Sequence, residues 1–262
     1  MSEERRIVLI TGASSGIGAE LAQIFAREGH DLGLVARRED RLETLADKIA
    51  AQGAPRPLVF PCDLAQPDAV ASLGKAVAAA GARPIMLVNN AGFGLLGEVA
   101  TIDPDAQLAI IDVNTRALLA LTLHFLPQIR EARGKILNVA SVVAFLPGGP
   151  RLAVYYASKA FVLSFSRSLR EEMRADGVEV CVLCPGMTPT EFQERAGFGP
   201  GIALDWMPQI SAVQVAEAGY AGLMTGRGVI TPGFFNKLTE WLAPLLPTSL
   251  VLPLIGAMQR KR

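Results

Sequence analysis

Residues 155–159 read YYASK, two adjacent tyrosines followed by a serine-preceded lysine. Val154 and the run AFVLSFSRSLREEM flank it, an apolar-periodic pattern that gathers charge toward its end and reads as helix. Residues three and four apart are neighbours on a helix, so Tyr155 and Tyr156 can each reach the Lys159 ammonium, and pitch alone leaves the choice open. Such a pair can move a proton. A free phenol titrates at about pH 10, and a neighbouring ammonium favours its anion, which brings it toward the working range of a general acid or base. Ser141, at the end of NVAS, could donate a hydrogen bond to the same reacting oxygen.

A second constellation lies near the N-terminus. TGASSGIG, Thr11–Gly18, follows the strand-like RIVLIT and precedes AELAQIFAREG, whose Leu21, Ile24 and Phe25 make one helix face. In that context Gly12 permits a tight turn, Gly16 lets the backbone approach a pyrophosphate, and Gly18 allows close packing of helix on sheet. The helix N-terminus offers free N–H groups to the anion. The spacing is G-x-x-x-G-x-G rather than the G-x-G-x-x-G of ordinary dinucleotide folds.

The elements that would hold these residues are strands and helices in alternation. RIVLIT, DLGLVA, RPLVF, IMLVN, KILNV, VEVCVL and GVIT are strand-like, near-continuously apolar and separated mostly by helical patterns. They imply an α/β fold: a doubly wound parallel sheet of about seven strands with helices on both faces, in a single domain over 1–262. Two stretches break the rhythm. Residues 187–208 are rich in Gly and Pro and suggest a mobile loop with some helical turns; the tail from Phe234 is apolar but interrupted by Pro244, Pro247 and Pro253.

The motifs together are similar to the short-chain dehydrogenase/reductase family. The resemblance runs from Ile7 to about Thr231 and rests on TGASSGIG, NNAG at Asn89–Gly92, Asn114 in IDVNTRA, Ser141 in NVAS, and YYASK followed by Pro185-Gly186. It implies a Rossmann-type, nicotinamide-dependent oxidoreductase acting on a carbonyl/alcohol pair, and a homo-oligomer. Its Y-x-x-x-K pattern places the acid at Tyr155 and leaves Tyr156 to packing. By the same resemblance Lys159 bonds the nicotinamide ribose, Ser141 polarises the carbonyl, and Asn114 holds a water that links Lys159 to solvent. Gly12, Ser14, Ser15, Gly16, Ile17 and Gly18 would face the cofactor, with Asp63 and Leu64 at the adenine, Asn90 along a ribose and Thr190 at the carboxamide. Thr188 departs from the branched aliphatic residue usual three places after the proline.

An NAD site normally wants an acid about twenty residues past the glycines. LVARRED has Ala36 there, followed by Arg37 and Arg38, and an arginine fork matches a 2′-phosphate. NADP(H) is therefore expected to be preferred, with NAD(H) still admitted. The charge is balanced, 25 basic against 25 acidic residues, and no basic block longer than the terminal RKR exists to track nucleic acid. The opening apolar run is too short for a signal-peptide core, which makes a cytoplasmic protein the simplest expectation. Cys181 and Cys184 in EVCVLC would point to opposite faces of a strand as core thiols, and His30 and His124 lack ligand-like neighbours, so no metal is expected.

Met187, Phe192, Phe198, Ile202, Leu204, Trp206 and Met207 in the loop, with Phe93, Leu95, Phe145 and Leu146, would line an apolar pocket for a bulky carbonyl substrate, or else pin the loop to the core. The tail would cover that pocket, pack in a subunit interface or rest on a membrane surface. A non-catalytic cofactor sensor on the same fold is the rival reading. It would need the glycines but not Asn114, Ser141, Tyr155 and Lys159.

Overall fold

The computed structural model describes residues 4–197 and 209–259. Its seven strands are β1 Arg5–Thr11, β2 Leu32–Ala36, β3 Leu58–Pro61, β4 Ala82–Asn89, β5 Lys135–Val139, β6 Glu179–Leu183 and β7 Val229–Ile230. They form one parallel sheet in the order β3-β2-β1-β4-β5-β6-β7. Alternate residues of β1 serve opposite faces: Val8 and Ile10 join one core cluster, Ile7 and Leu9 the other. That two-sided burial is why the strand runs lack polar alternation. The RPLVF run pairs only from Leu58, GVIT contributes only Val229 and Ile230, and IMLVN extends back to Ala82.

The helices are α1 Gly16–Arg27, α2 Glu39–Ala51, α3 Ala69–Ala79, α4 Pro104–Ile111, α5 Leu118–Glu131, α6 Ala153–Met173, α7 Glu191–Arg195, α8 Ala212–Met224, α9 Phe234–Leu242 and α10 Thr248–Met258. Residues of α1, α2 and α8 fill one side of the sheet, and those of α3, α5 and α6 fill the other. Cys181 belongs to the first side, whereas Cys184 lies in a separate cluster with Ala140 and Val162. Burial pushes both thiols up, to about 11 and about 12, so neither is a thiolate at neutral pH. Strand order reverses beside β1, between β2 and β4, and a crevice opens there at the carboxyl ends of the strands.

Two details differ from the sequence expectations, and one stretch is described only in part. Asn114 lies not in a regular helix but in a π-helical turn, Asp112–Ala117, that joins α4 to α5. In the loop after Pro185-Gly186 the described helical part is α7, and residues 198–208 lie outside the described residues. The tail prolines divide their work: Pro244 sits in a short 3₁₀ turn and Pro247 caps α10, but Pro253 is carried inside α10.

A buried polar chain ties β4 and β5 to α5 and α6. Asn89 and Asn138 are register partners on β4 and β5, and Asn89 Nδ2 donates to Asn138 Oδ1 at 2.9 Å and to Thr122 Oγ1 at 3.1 Å. Asn138 Nδ2 donates in turn to Ser166 Oγ on α6, 2.9 Å away, tying the sheet to the helix that carries YYASK. Truncating Asn138 would leave a donor on β4 and an acceptor on α6 unmatched in a dry interior. Asn138→Ala is therefore expected to destabilise the fold by about 2–4 kcal/mol in denaturant unfolding, well beyond the cost of one ordinary hydrogen bond.

Candidate active site at the strand ends

The glycine turn takes the shape its sequence requires. Gly12 and Gly16 adopt φ +67° and +57°, where a side chain is strained, and a Cβ on Gly12 would lie 2.7 Å from Asn90 Nδ2. A Cβ on Gly18 would come within 2.4 Å of both Asn90 Nδ2 and the Gly12 carbonyl oxygen. Asn90 is the brace for this turn, its Nδ2 donating to the carbonyls of Thr11 at 2.9 Å and Gly12 at 3.2 Å. Thr11 Oγ1 accepts from the N–H groups of Asn90 and Ala91 at the same corner. Asn90 was expected along a ribose; it lines the cavity, and its amide N–H groups are spent on the turn itself.

From the turn a cavity of about 890 Å³ runs along the strand ends, lined by Gly12, Ser14, Ser15, Gly16, Ile17, Arg37, Arg38, Asp63, Leu64, Asn90 and Thr190 and, further along, by Ser141, Tyr155 and Lys159. Gly18 packs behind this lining. Thr190 closes over Gly16, its Cγ2 standing 3.1 Å from where a glycine Cβ would be. Asp63 folds back on its own loop, accepting from the Ala65 N–H at 3.2 Å and from Gln66 Nε2 at 3.4 Å. The two arginines behave differently. Arg37 is exposed, whereas Arg38 reaches inward: its Nη2 donates to Ser14 Oγ and Ser15 Oγ, both at 3.1 Å, and its Nη1 pairs with Glu191 Oε2 at 2.9 Å. Arg41, one helical turn on, pairs with the same carboxylate. Arg41 and Glu191 were not singled out in the sequence. Helical spacing from Arg38 pointed to Arg41, but nothing local pointed to Glu191.

At the other end α6 delivers its side chains. Tyr155 and Lys159 share a helix face, and the Lys159 Nζ lies 5.8 Å from the Tyr155 ring centroid. Lys159 is only 5% exposed and donates to the Val139 carbonyl at 2.9 Å. Burial brings its pKa down to about 8. Tyr155 is pushed up to about 12, first by burial and against a hydrogen bond with Ser141 that pulls down, with Tyr156 adding a small upward push. By spacing alone, the ammonium is expected to draw the titration of the phenol toward neutral pH. In the chain by itself dehydration of the phenolate prevails, and Lys159 is turned to a backbone carbonyl. Ser141 follows β5, where its Oγ donates to the Pro185 carbonyl and accepts from the Val143 N–H, both at 3.4 Å, long enough to yield to a better partner.

Asn114 is buried and doubly bonded to Phe93, its Oδ1 accepting from the Phe93 N–H at 3.0 Å and its Nδ2 donating to the Phe93 carbonyl at 2.9 Å. A third bond from Nδ2 reaches Ser158 Oγ at 3.0 Å. A Cβ on Gly92 would meet Asn114 Oδ1 at 2.9 Å and Lys159 Nζ at 3.3 Å, so these two polar groups converge over a residue that has no side chain to separate them.

Tyr156 points away from this group. Its hydroxyl accepts from Gln259 Nε2 at 3.0 Å, and its ring packs with Leu152, Val251 and Ile255, joining α6 to α10. Gln259 also offers its carbonyl to Arg151 Nη1 at 2.8 Å, a tie absent from any local pattern. The tail thereby becomes a wall of the cavity, through Leu238, Leu242, Leu246, Leu254 and Met258. Phe93, Leu146, Met187 and Phe192 line it as expected; Leu95 does not, and Phe145 is buried in the core beside Ala144 and Val162. Phe198, Ile202, Leu204, Trp206 and Met207 lie outside the described residues.

The depressed pKa of Lys159 has a stability consequence. Between about pH 8 and its unfolded value near 10.4 the unfolded chain binds the extra proton at this lysine, so the Lys159 contribution to stability rises with pH across that window, and its burial cost is fully present below it. Lys159→Met is expected to abolish this rise, on the order of 1–3 kcal/mol, in urea titrations at pH 7.5 and pH 10 compared with the unaltered chain.

Residues 6–198 match the family model for short chain dehydrogenases. The 11-beta-hydroxysteroid dehydrogenase-like 4A protein of Arabidopsis thaliana is 32% identical over 259 residues, covering 94% of this chain and 82% of the plant protein. A short-chain dehydrogenase from Sphingobium yanoikuyae, solved in complex with NADPH, is 33% identical with a TM-score of 0.79, covering 87% of this chain and 88% of that one. The bulky-bulky ketone specific alcohol dehydrogenase from Comamonas testosteroni is 28% identical with a TM-score of 0.74, over 93% of this chain and 94% of its own. With its seven-stranded parallel sheet, its glycine turn and its Tyr155/Lys159 helix face, the chain belongs to the short-chain dehydrogenase/reductase family of nicotinamide-dependent oxidoreductases.

Proposed function

We propose that the protein is an NADP(H)-dependent reductase or dehydrogenase for bulky, apolar carbonyl/alcohol substrates, with Tyr155 as general acid/base. The observation that carries this reading is one cavity that begins at the glycine turn and the Arg38 guanidinium, passes Ser141, Tyr155 and Lys159, and ends in an apolar wall from α9 and α10. The residues present fit a dinucleotide: left-handed glycines leave backbone N–H groups clear, and Thr190 keeps its distance only because Gly16 lacks a Cβ. Gly12, Ser14, Ser15, Gly16, Ile17, Asp63, Leu64, Thr190 and Lys159 would hold it. When bound, the nicotinamide supplies or accepts the hydride.

The chain's own residues handle the proton. In reduction the Tyr155 hydroxyl, which keeps its proton at neutral pH, donates to the carbonyl oxygen as negative charge grows there, and Ser141 donates a second hydrogen bond to the same oxygen. Lys159, still largely protonated at pH 7, steadies the resulting phenolate, and Asn114 lies beside it where a proton could be relayed. In the oxidising direction the same phenolate is the base.

Ser14, Ser15 and Arg38 form the polar end, and Arg38, not the exposed Arg37, is assigned to the 2′-phosphate. The apolar end agrees with the ketone specificity in the name of the Comamonas relative.

Tyr155→Phe is expected to lower the rate of NADPH oxidation with ketones by about two to four orders of magnitude. Tyr156→Phe should retain most activity while losing stability with the Gln259 bond; the reverse pattern refutes the assignment. Across straight-chain ketones of rising length, kcat/KM should improve by at most about 0.8 kcal/mol per CH₂ until the cavity is full. A flat series would mean a small or polar substrate.

A further inference from the structure

Glu191 engages the guanidinium groups of Arg38 and Arg41 beside the glycine turn. Its carboxylate takes Arg38 Nη1 at 2.9 Å through Oε2 and Arg41 through Oε1, while Arg38 Nη2 stays on the two serines of the glycine turn. Burial alone would raise this carboxyl; the bonds from Arg41 and Arg38 prevail and hold it below the ordinary glutamate range. Arg38, Ser14, Ser15 and Glu191 all line the same cavity. Glu191 is also the first residue of α7, and its neighbour Phe192 lays its ring 5.3 Å from that of Tyr155. One short helix thus touches the polar end of the cavity with a carboxylate and the proton-handling end with an aromatic ring.

A carboxylate and a phosphate ask for the same guanidinium donors and repel each other. An adenosine ligand without a 2′-phosphate leaves both ion pairs intact. A ligand that carries one must draw Arg38 from Glu191, or share that guanidinium with a second negative group beside it. We propose that Glu191 is a cofactor-discriminating residue: a resident carboxylate that competes with the 2′-phosphate for Arg38 and Arg41, so that the margin between NADP(H) and NAD(H) is set by this exchange. The exchange also loosens one of the ties that hold α7, next to Phe192 and its contact with Tyr155. The inference rests on the NADP(H) reading above and adds to it a residue that weakens the preference.

The test uses two probes that differ only in the 2′-phosphate, adenosine 2′,5′-bisphosphate and adenosine 5′-monophosphate. Both are titrated calorimetrically into the full chain and into Glu191→Gln, which keeps the size and a hydrogen-bonding oxygen but not the charge. The expected result is a bisphosphate affinity about three- to tenfold higher in Glu191→Gln, with the monophosphate changed less than about twofold, as befits half-exposed charged groups. If neither the unaltered chain nor Glu191→Gln prefers the bisphosphate, the NADP(H) reading fails and the inference with it; no preference in the unaltered chain but a clear one in Glu191→Gln sinks only the NADP(H) preference and upholds the competition. A preference that is present but identical in Glu191→Gln overturns the inference alone, and so does an equal gain for both probes, which would mark a general charge effect. Melting temperatures of the two proteins, measured with each probe at saturation, give a second reading: only the bisphosphate should stabilise Glu191→Gln more than the unaltered chain.

Discussion

An ammonium group shut away from water constrains everything around it. Lys159 is buried on α6 beneath the strand ends, and an isolated charge there would be costly enough to neutralise itself or unfold its surroundings. The fold answers with the Val139 carbonyl at one N–H and with the Asn114 side chain close by, and it leaves Gly92 bare so that both fit. Tyr155, Ser141 and the end of β5 are placed by the same packing. The chain alone compensates the charge only in part, as the fall toward 8 records. A site whose lysine is incompletely satisfied is prepared for a ligand that brings further acceptors.

Much of this arrangement was legible in the sequence because it is encoded locally. The glycine turn needs left-handed backbone at Gly12 and Gly16, which few residues other than glycine adopt without strain, and four residues on a helix fix the shared face of Tyr155 and Lys159. Near-continuous apolar runs announced a two-sided sheet, and Cys181 and Cys184 fall on opposite sides of it as strand geometry requires. The titration of Tyr155 was not legible: spacing states who is near, but not how dry the place is. Nor were the contacts of Glu191 with Arg38 and Arg41, or of Gln259 with Tyr156, which close loops of more than a hundred residues. Such pairs depend on how whole elements dock, and no window of the sequence contains both partners.

The C-terminal helices show a division of surface that composition alone would not reveal. One side of α10 packs Val251 and Ile255 on Tyr156 and Leu152, and residues of α9 and α10 wall the cavity. The other side leaves Phe234, Trp241, Leu245 and Leu250 more than half exposed. A wall with few contacts behind it and apolar groups on both sides opens at lower free energy than the sheet it leans on. The apolar end of the cavity is therefore softer than its polar end, which is set in strands and a glycine turn.

The π-helical turn at Asp112–Ala117 has a consequence for how this chain tolerates change. Relative to an α-helix, a π turn carries about one surplus residue, and that surplus rotates whatever follows by roughly 100°. Here it lets Asn114 face Phe93 and Ser158 while Leu118, Leu121 and Phe125 of α5 still face the core. Deleting one residue from this segment would yield a more regular, more continuous helix, and it would force a choice between the two faces. Helical regularity and the polar contact cannot both be kept, so length variation should be accommodated in the surface loops and not within this helix, whatever the intrinsic helix propensity of the shortened segment.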